Sequence, residues 1–72
     1  MTGALAQRLI EAEIFLRGLG GSATVHAWKF GGGWLAAVTY QRDAAHGDEP
    51  RELLAEALCD AADALREKLA AS

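Results

Sequence analysis

Three side chains in this sequence could react near neutral pH: His26, His46 and Cys59. Neither histidine has other metal-binding side chains nearby at the spacing of a metal motif. Cys59 falls among carboxylates on the polar side of a predicted helix, and neighbouring negative charge disfavours the thiolate that a nucleophile requires. We therefore expect no catalytic centre, no metal site and no cofactor, so the sequence predicts a protein that is not an enzyme.

The most regular pattern in the chain is acidic. Carboxylates recur at three- and four-residue steps, which places them along one side of a helix, at Glu49, Glu52, Glu56, Asp60, Asp63 and Glu67. Successive members of this acidic ridge stand about 5–6 Å apart, similar to phosphates along a nucleic-acid strand. The ridge is either a solvated face that keeps the chain soluble, or a docking surface for a basic, nucleic-acid-binding protein.

The segments that carry these residues follow the order helix, strand, strand, helix. Apolar residues recur at helical spacing over 4–17, and residues that favour strands dominate 22–30 and 34–41. Residues 42–48 form a predicted polar loop, and Pro50 begins a predicted helix that runs to about residue 69. The chain of 72 residues therefore predicts one small α+β domain over 1–72, a two-stranded antiparallel hairpin packed on two helices.

The length of the glycine turn decides which side chains share a face of the hairpin. A three-residue loop at 31–33 pairs Phe30 with Trp34 and gathers Trp28, Trp34 and Tyr40 on one aromatic face. A two-residue loop shifts the pairing by one residue and mixes the sets. We expect the longer loop, and an aromatic face that forms the core or a dimer contact. The alternative is an RNA-binding sheet that stacks bases, although the sequence offers no basic rim for phosphates.

The helices carry more apolar surface than one sheet face needs. The predicted core stripes are Leu5, Leu9, Ala12, Leu16 and Leu19 on the first helix, and Leu53, Leu54, Ala57, Leu58, Ala61, Ala64 and Leu65 on the second. Ile10 and Ile14 fall nearly opposite the first stripe, and with Phe15 they predict a contact with a protein partner or a second copy. Isolated surface hydrophobes are the alternative. Because so small a domain is marginally stable alone, we expect a homodimer.

Composition excludes some classes of partner. The formal net charge of −3 argues against direct nucleic-acid binding. The longest apolar run, residues 34–38, is too short to cross a bilayer, and the first residues lack the pattern of a signal peptide. A single cysteine cannot form an internal disulfide, which favours a reducing, cytoplasmic setting.

The passage from Trp34 through Ala57 is similar to the strand-to-helix segment of HicB-like antitoxin domains. The matching parts are the strand at 34–40, the stretch Gly47-Asp48-Glu49-Pro50-Arg51-Glu52-Leu53-Leu54 and the alanine-rich helix that follows. This resemblance covers about a third of the chain and implies an antitoxin-like or regulatory module that binds a toxin protein.

In size, acidity and lack of catalytic groups the chain also resembles small phage-encoded accessory proteins, including anti-CRISPR inhibitors. That resemblance implies binding to a host complex and blocking of its nucleic-acid site. Our first hypothesis is therefore a phage-type inhibitor that binds a host nucleic-acid-binding complex through the acidic ridge. A regulatory homodimer is the second hypothesis and an RNA-binding sheet is the third.

Overall fold

The structure, a computed structural model, describes residues 3–71. Its elements are α1 (Gly3–Gly18), β1 (Ala23–Phe30), β2 (Gly33–Tyr40), β3 (Asp43–His46) and α2 (Leu54–Ala71). The strands form one antiparallel sheet in the order β1-β2-β3, and the predicted α+β arrangement of helix, hairpin and helix is confirmed. The short strand β3 is an addition, because residues 43–46 lie in the segment predicted as a loop.

The hairpin register differs from the predicted one. Phe30 pairs with Gly33, so the turn contains only Gly31 and Gly32, both with positive φ (58° and 83°). Two consecutive positive φ values are what a two-residue type I′ hairpin turn requires, and glycine adopts them without a Cβ penalty. Gly33 is a strand residue, and the predicted pairing of Phe30 with Trp34 is wrong.

Gly33 is a glycine because another segment lies against it. A Cβ at this position would stand 2.9 Å from the Arg51 carbonyl oxygen and 2.9 Å from the Pro50 Cβ. Arg51 pairs with Trp34 in an antiparallel bridge, in which the Trp34 N–H donates to the Arg51 carbonyl at 2.6 Å and the Arg51 N–H donates to Trp34 at 2.9 Å. This extended pairing keeps residues 50–51 out of a helix, so α2 begins at Leu54 and not at Pro50.

The core lies on one face of the sheet. On this helix-facing side, Ala36, Val38 and Ala45 are buried against one side of α2. The α2 residues in this cluster are Ala57, Ala61 and Leu65, as predicted, but Leu53 and Leu54 are 50% and 38% exposed. Those two leucines miss the core because the helix starts only at Leu54.

The helix α2 is buried on two sides. Its second buried side carries Cys59 and Ala62, which pack with Leu5 and Ala12 of α1. The predicted position of Cys59 on the polar side is therefore wrong, because α1 covers that side of α2. Neither helix of the described chain is long and apolar enough to span a bilayer.

Candidate functional site

The structure separates the three side chains that could react near neutral pH. His26 and His46 both pair with Ala37, so they lie in one row on the sheet face that points away from the helices. Cys59 is 1% exposed and lies between the two helices. Burial raises the pKa of the Cys59 thiol above its ordinary 9.0, and the nearby Arg8 charge opposes this rise. These positions form no catalytic arrangement among residues 3–71, and no metal-binding group of three or more His, Cys, Asp or Glu is found there.

Two members of the acidic ridge are bound internally. Asp60 accepts hydrogen bonds from the Arg51 guanidinium at 2.6 Å (Nε to Oδ2) and 3.3 Å (Nη2 to Oδ1). Arg8 of α1 reaches Asp60 at 3.4 Å and Asp63 at 2.7 Å. The side chain of Asp60 is only 15% exposed, so it ties the segment before α2 and the first helix to α2 rather than facing a partner.

The remaining ridge residues do not form one straight line. Glu49 and Glu52 precede α2, Glu56 is half-buried in its first turn, and Glu67 is exposed near its end. The predicted helical ridge over all six carboxylates is therefore wrong, since the helix begins after two of them. The structure instead gathers carboxylates around a cleft of about 210 Å³, lined by Asp48, Glu49, Asp60, Asp63 and Glu67 together with His46 and Arg51.

The sheet face that points away from the helices carries an apolar patch near the hairpin turn, with no described element over it. Trp28 and Phe30 project from β1 on this open sheet face and are 41% and 56% exposed. Leu35 stands opposite Trp28 on β2 and is half-buried. The predicted register places the aromatic residues on one face, but the observed register divides them. Trp34 and Tyr40 lie on the helix-facing side, where they pack against the core.

The outward side of α1 carries two of the three predicted contact residues. Ile10 and Ile14 are 51% and 66% exposed. Phe15 instead packs against both core clusters, and the Arg66 guanidinium lies 4.9 Å from its ring centroid. Phe15 therefore does not share the outward side of α1 with Ile10 and Ile14, because its half-buried side chain points toward α2.

A groove separates α1 from β1. It has a volume of about 710 Å³ and is mostly apolar; its lining includes Leu9, Leu16, Ala23, Val25 and Leu58. Val25 is 42% exposed because α1 packs on α2 and leaves the helix-facing side of β1 uncovered. The run of strand-forming residues in β1 was visible in the sequence, but its exposure was not.

The sequence did not predict the internal hydrogen bonds between Asp60 and the arginines either. The one sequence signal for this ion pair is that Arg51 and Asp60 lie on either side of the residue at which α2 begins. Comparisons with protein-family models, with curated proteins and with solved structures give no match for this chain.

Proposed function

We propose that the chain is a non-catalytic protein-binding module that holds an apolar surface of a partner on its open sheet face. The observation that carries the proposal is the exposure of Trp28 and Phe30, side by side on a strand without a covering helix. Large aromatic side chains dominate the free energy of protein interfaces, and contiguous exposed apolar patches mark such surfaces. Such a module fits an antitoxin-like or regulatory role, in agreement with the HicB-like passage.

The chemistry of the open sheet face favours protein over RNA as the partner. Base stacking needs aromatic rings, which are present, but phosphates need nearby cations. The one lysine of β1, Lys29, lies on the opposite side of the sheet with its Nζ 4.7 Å from the Trp34 ring centroid. The formal net charge of −3 adds a general repulsion toward RNA.

The test is capture of a partner from host lysate on immobilised protein. The double variant Trp28→Ser with Phe30→Ser loses the captured protein, whereas the control Leu53→Ser, an exposed leucine outside the sheet, retains it. Circular dichroism checks that each variant is folded. A captured partner that survives the double variant contradicts the proposal, and a ligand that nuclease removes would assign the face to RNA.

A second candidate function is inhibition of a host nucleic-acid-binding complex by the acidic side of the molecule, as a phage-type accessory protein. The observation in its favour is the cleft lined by Asp48, Glu49 and Glu67 in addition to Asp60 and Asp63, which bind Arg51 and Arg8. A basic side chain of a partner would fit such a cleft by charge complementarity. Glu49 and Glu67 are the residues to test, because Asp60 binds Arg51 and Arg8 within the fold and its substitution would destabilise the protein.

Charge reversal distinguishes this function from the first. Glu49→Lys with Glu67→Lys is expected to abolish capture of a basic partner, and the same capture weakens steeply as salt is raised. The isosteric control Glu49→Gln with Glu67→Gln gives an intermediate loss. If neither added salt nor charge reversal changes the capture, the cleft is only solvated surface.

A further inference from the structure

We propose that two copies of this chain pair through the free edge of β1 and join their three-stranded sheets into one antiparallel sheet of six strands. The partner is a second copy, and the contact is made by backbone groups along the strand edge. The open sheet face remains available in this arrangement, so the inference stands or falls independently of the partner proposed for that face.

The outer edge of β1 presents unpaired backbone groups. The strand is eight residues long and forms one edge of the sheet. Within the described residues it therefore pairs only with β2, through its inner edge. The two-residue turn makes Phe30 and Gly33 a hydrogen-bonded pair, and such pairs recur at every second residue of an antiparallel ladder. The N–H and C=O groups of Val25, Ala27 and Lys29 therefore point outward. An exposed edge of this length is a template for another strand.

Nothing on β1 guards this edge. The strand contains no proline and only one charged residue, Lys29, whose Nζ lies over the Trp34 ring rather than along the edge. The other edge of the sheet differs. Strand β3 has only four residues, and the Lys68 ammonium donates to its Ala44 carbonyl at 2.9 Å. Short strands and lysine side chains are devices that discourage edge pairing, and they stand on β3 and not on β1.

The strand β1 can pair with a second copy of itself in a register that opposes no like charges. Antiparallel pairing about a twofold axis places one residue opposite itself and keeps the helices of both copies on one side of the sheet. A register centred on Ala27 sets Lys29 opposite Val25 and Trp28 opposite His26. Only the small side chain of Ala27 lies at the axis in this register.

The area available agrees with a reversible dimer. An eight-residue strand is about 26 Å long, and a sheet with its side chains is about 10 Å thick. Each copy then presents an edge of about 260 Å², which is smaller than standard specific interfaces and belongs to the weak, transient class. We therefore expect a weak dimer that dissociates readily on dilution. Pairing also brings side chains of the second copy beside Val25, at the α1–β1 groove.

Two substitutions at one outward-pointing position test the pairing. Ala27→Lys places two like charges at the axis, and Ala27→Pro removes an outward N–H while leaving the ladder to β2 intact. Sedimentation equilibrium from about 10 µM to about 1 mM measures the dimer, and each variant is expected to weaken it at least about 10-fold. Two controls retain it: Ala44→Lys on the opposite edge strand, and Ile14→Asp on the outward side of α1.

Amide hydrogen exchange supplies a second readout that does not depend on variants. The outward amides of Val25, Ala27 and Lys29 are expected to gain protection as the protein concentration rises, while those of His26 and Trp28 are protected throughout. A chain that stays monomeric across this concentration range overturns the proposal. A dimer that Ile14→Asp dissociates and Ala27→Lys does not, or one that leaves the Ala27 amide unprotected, overturns it equally.

Discussion

The Arg51 guanidinium binds the Asp60 carboxylate through two nitrogens, with Nε 2.6 Å from Oδ2 and Nη2 3.3 Å from Oδ1. Arg51 also pairs with Trp34 through its backbone, so one residue joins β2 to the middle of α2. Gly47 lies against the same side chain, since a Cβ there would stand 3.1 Å from the Asp60 Cβ. The passage from β3 to α2 is thus held by a carboxylate that the sequence suggested for partner binding.

The first prediction concerns this carboxylate. Asp60→Asn is expected to lower the free energy of unfolding, because the amide cannot accept charged hydrogen bonds from Arg51 and Arg8 as the carboxylate does. Urea denaturation measures the effect. The matched control is Glu67→Gln, an exposed member of the same cleft, for which almost no change is expected. Equal stability of the two variants would show that Asp60 is surface charge only.

Gly33→Ala is expected to destabilise the protein by about 1–3 kcal/mol, the range of overpacked sites. The added methyl group meets the Arg51 backbone and the Pro50 ring, so the bridge to Trp34 must open. Gly18→Ala is the control, since nothing lies within 4 Å of a Cβ built there. Thermal denaturation compares the two, and a harmless Gly33→Ala would contradict the close approach of residues 50–51.

Leu65→Ala is expected to cost about 2–5 kcal/mol, as for leucines in protein cores. Leu65 is 0% exposed between α2 and the sheet, whereas Leu54 is 38% exposed. Leu54→Ala should therefore change the free energy of unfolding by no more than about 0.5 kcal/mol. Urea titration of both variants checks the assignment of the buried side of α2, which would be wrong if Leu54→Ala proved the more damaging.

The Cys59 thiol is expected to react slowly with a disulfide reagent in the native protein and rapidly in urea. It is buried, and burial raises its pKa above 9.0, so little thiolate forms near neutral pH. A raised folded-state pKa stabilises the fold below the pKa of the unfolded thiol, and this contribution is lost as pH rises through the folded value. The alkaline loss of stability should therefore be steeper in the native sequence than in Cys59→Ala. Identical slopes would refute the raised pKa.

Local sequence signals were sufficient for most of the element types. Residues 4–17 and 22–30 were predicted within one residue of α1 and β1, because helical periodicity and strand propensity are local properties. The third strand was not predicted because Asp43–His46 is short and is extended only through its pairing with β2. Its alanines and polar residues carry no strand preference of their own.

The start of α2 and the hairpin register depended on contacts distant in sequence. Pro50 is a good first residue of a helix, but the bridge between Arg51 and Trp34 extends the backbone there instead. The sequence is equally compatible with Gly33 in the loop or in the strand. The close approach of residues 50–51 places it in the strand.

The sequence by itself determined the α+β class, the glycine turn and the exposed isoleucines of α1. Only the tertiary structure decided which surfaces are free, because exposure depends on where the helices pack. The helix α2 covers β2 and β3, and α1 packs on α2 rather than on the sheet, so β1 keeps an open face and an open edge. For the same reason Cys59 is buried between the helices and Asp60 is half-buried in contacts with Arg51 and Arg8, although the sequence pattern placed both on the polar side of α2.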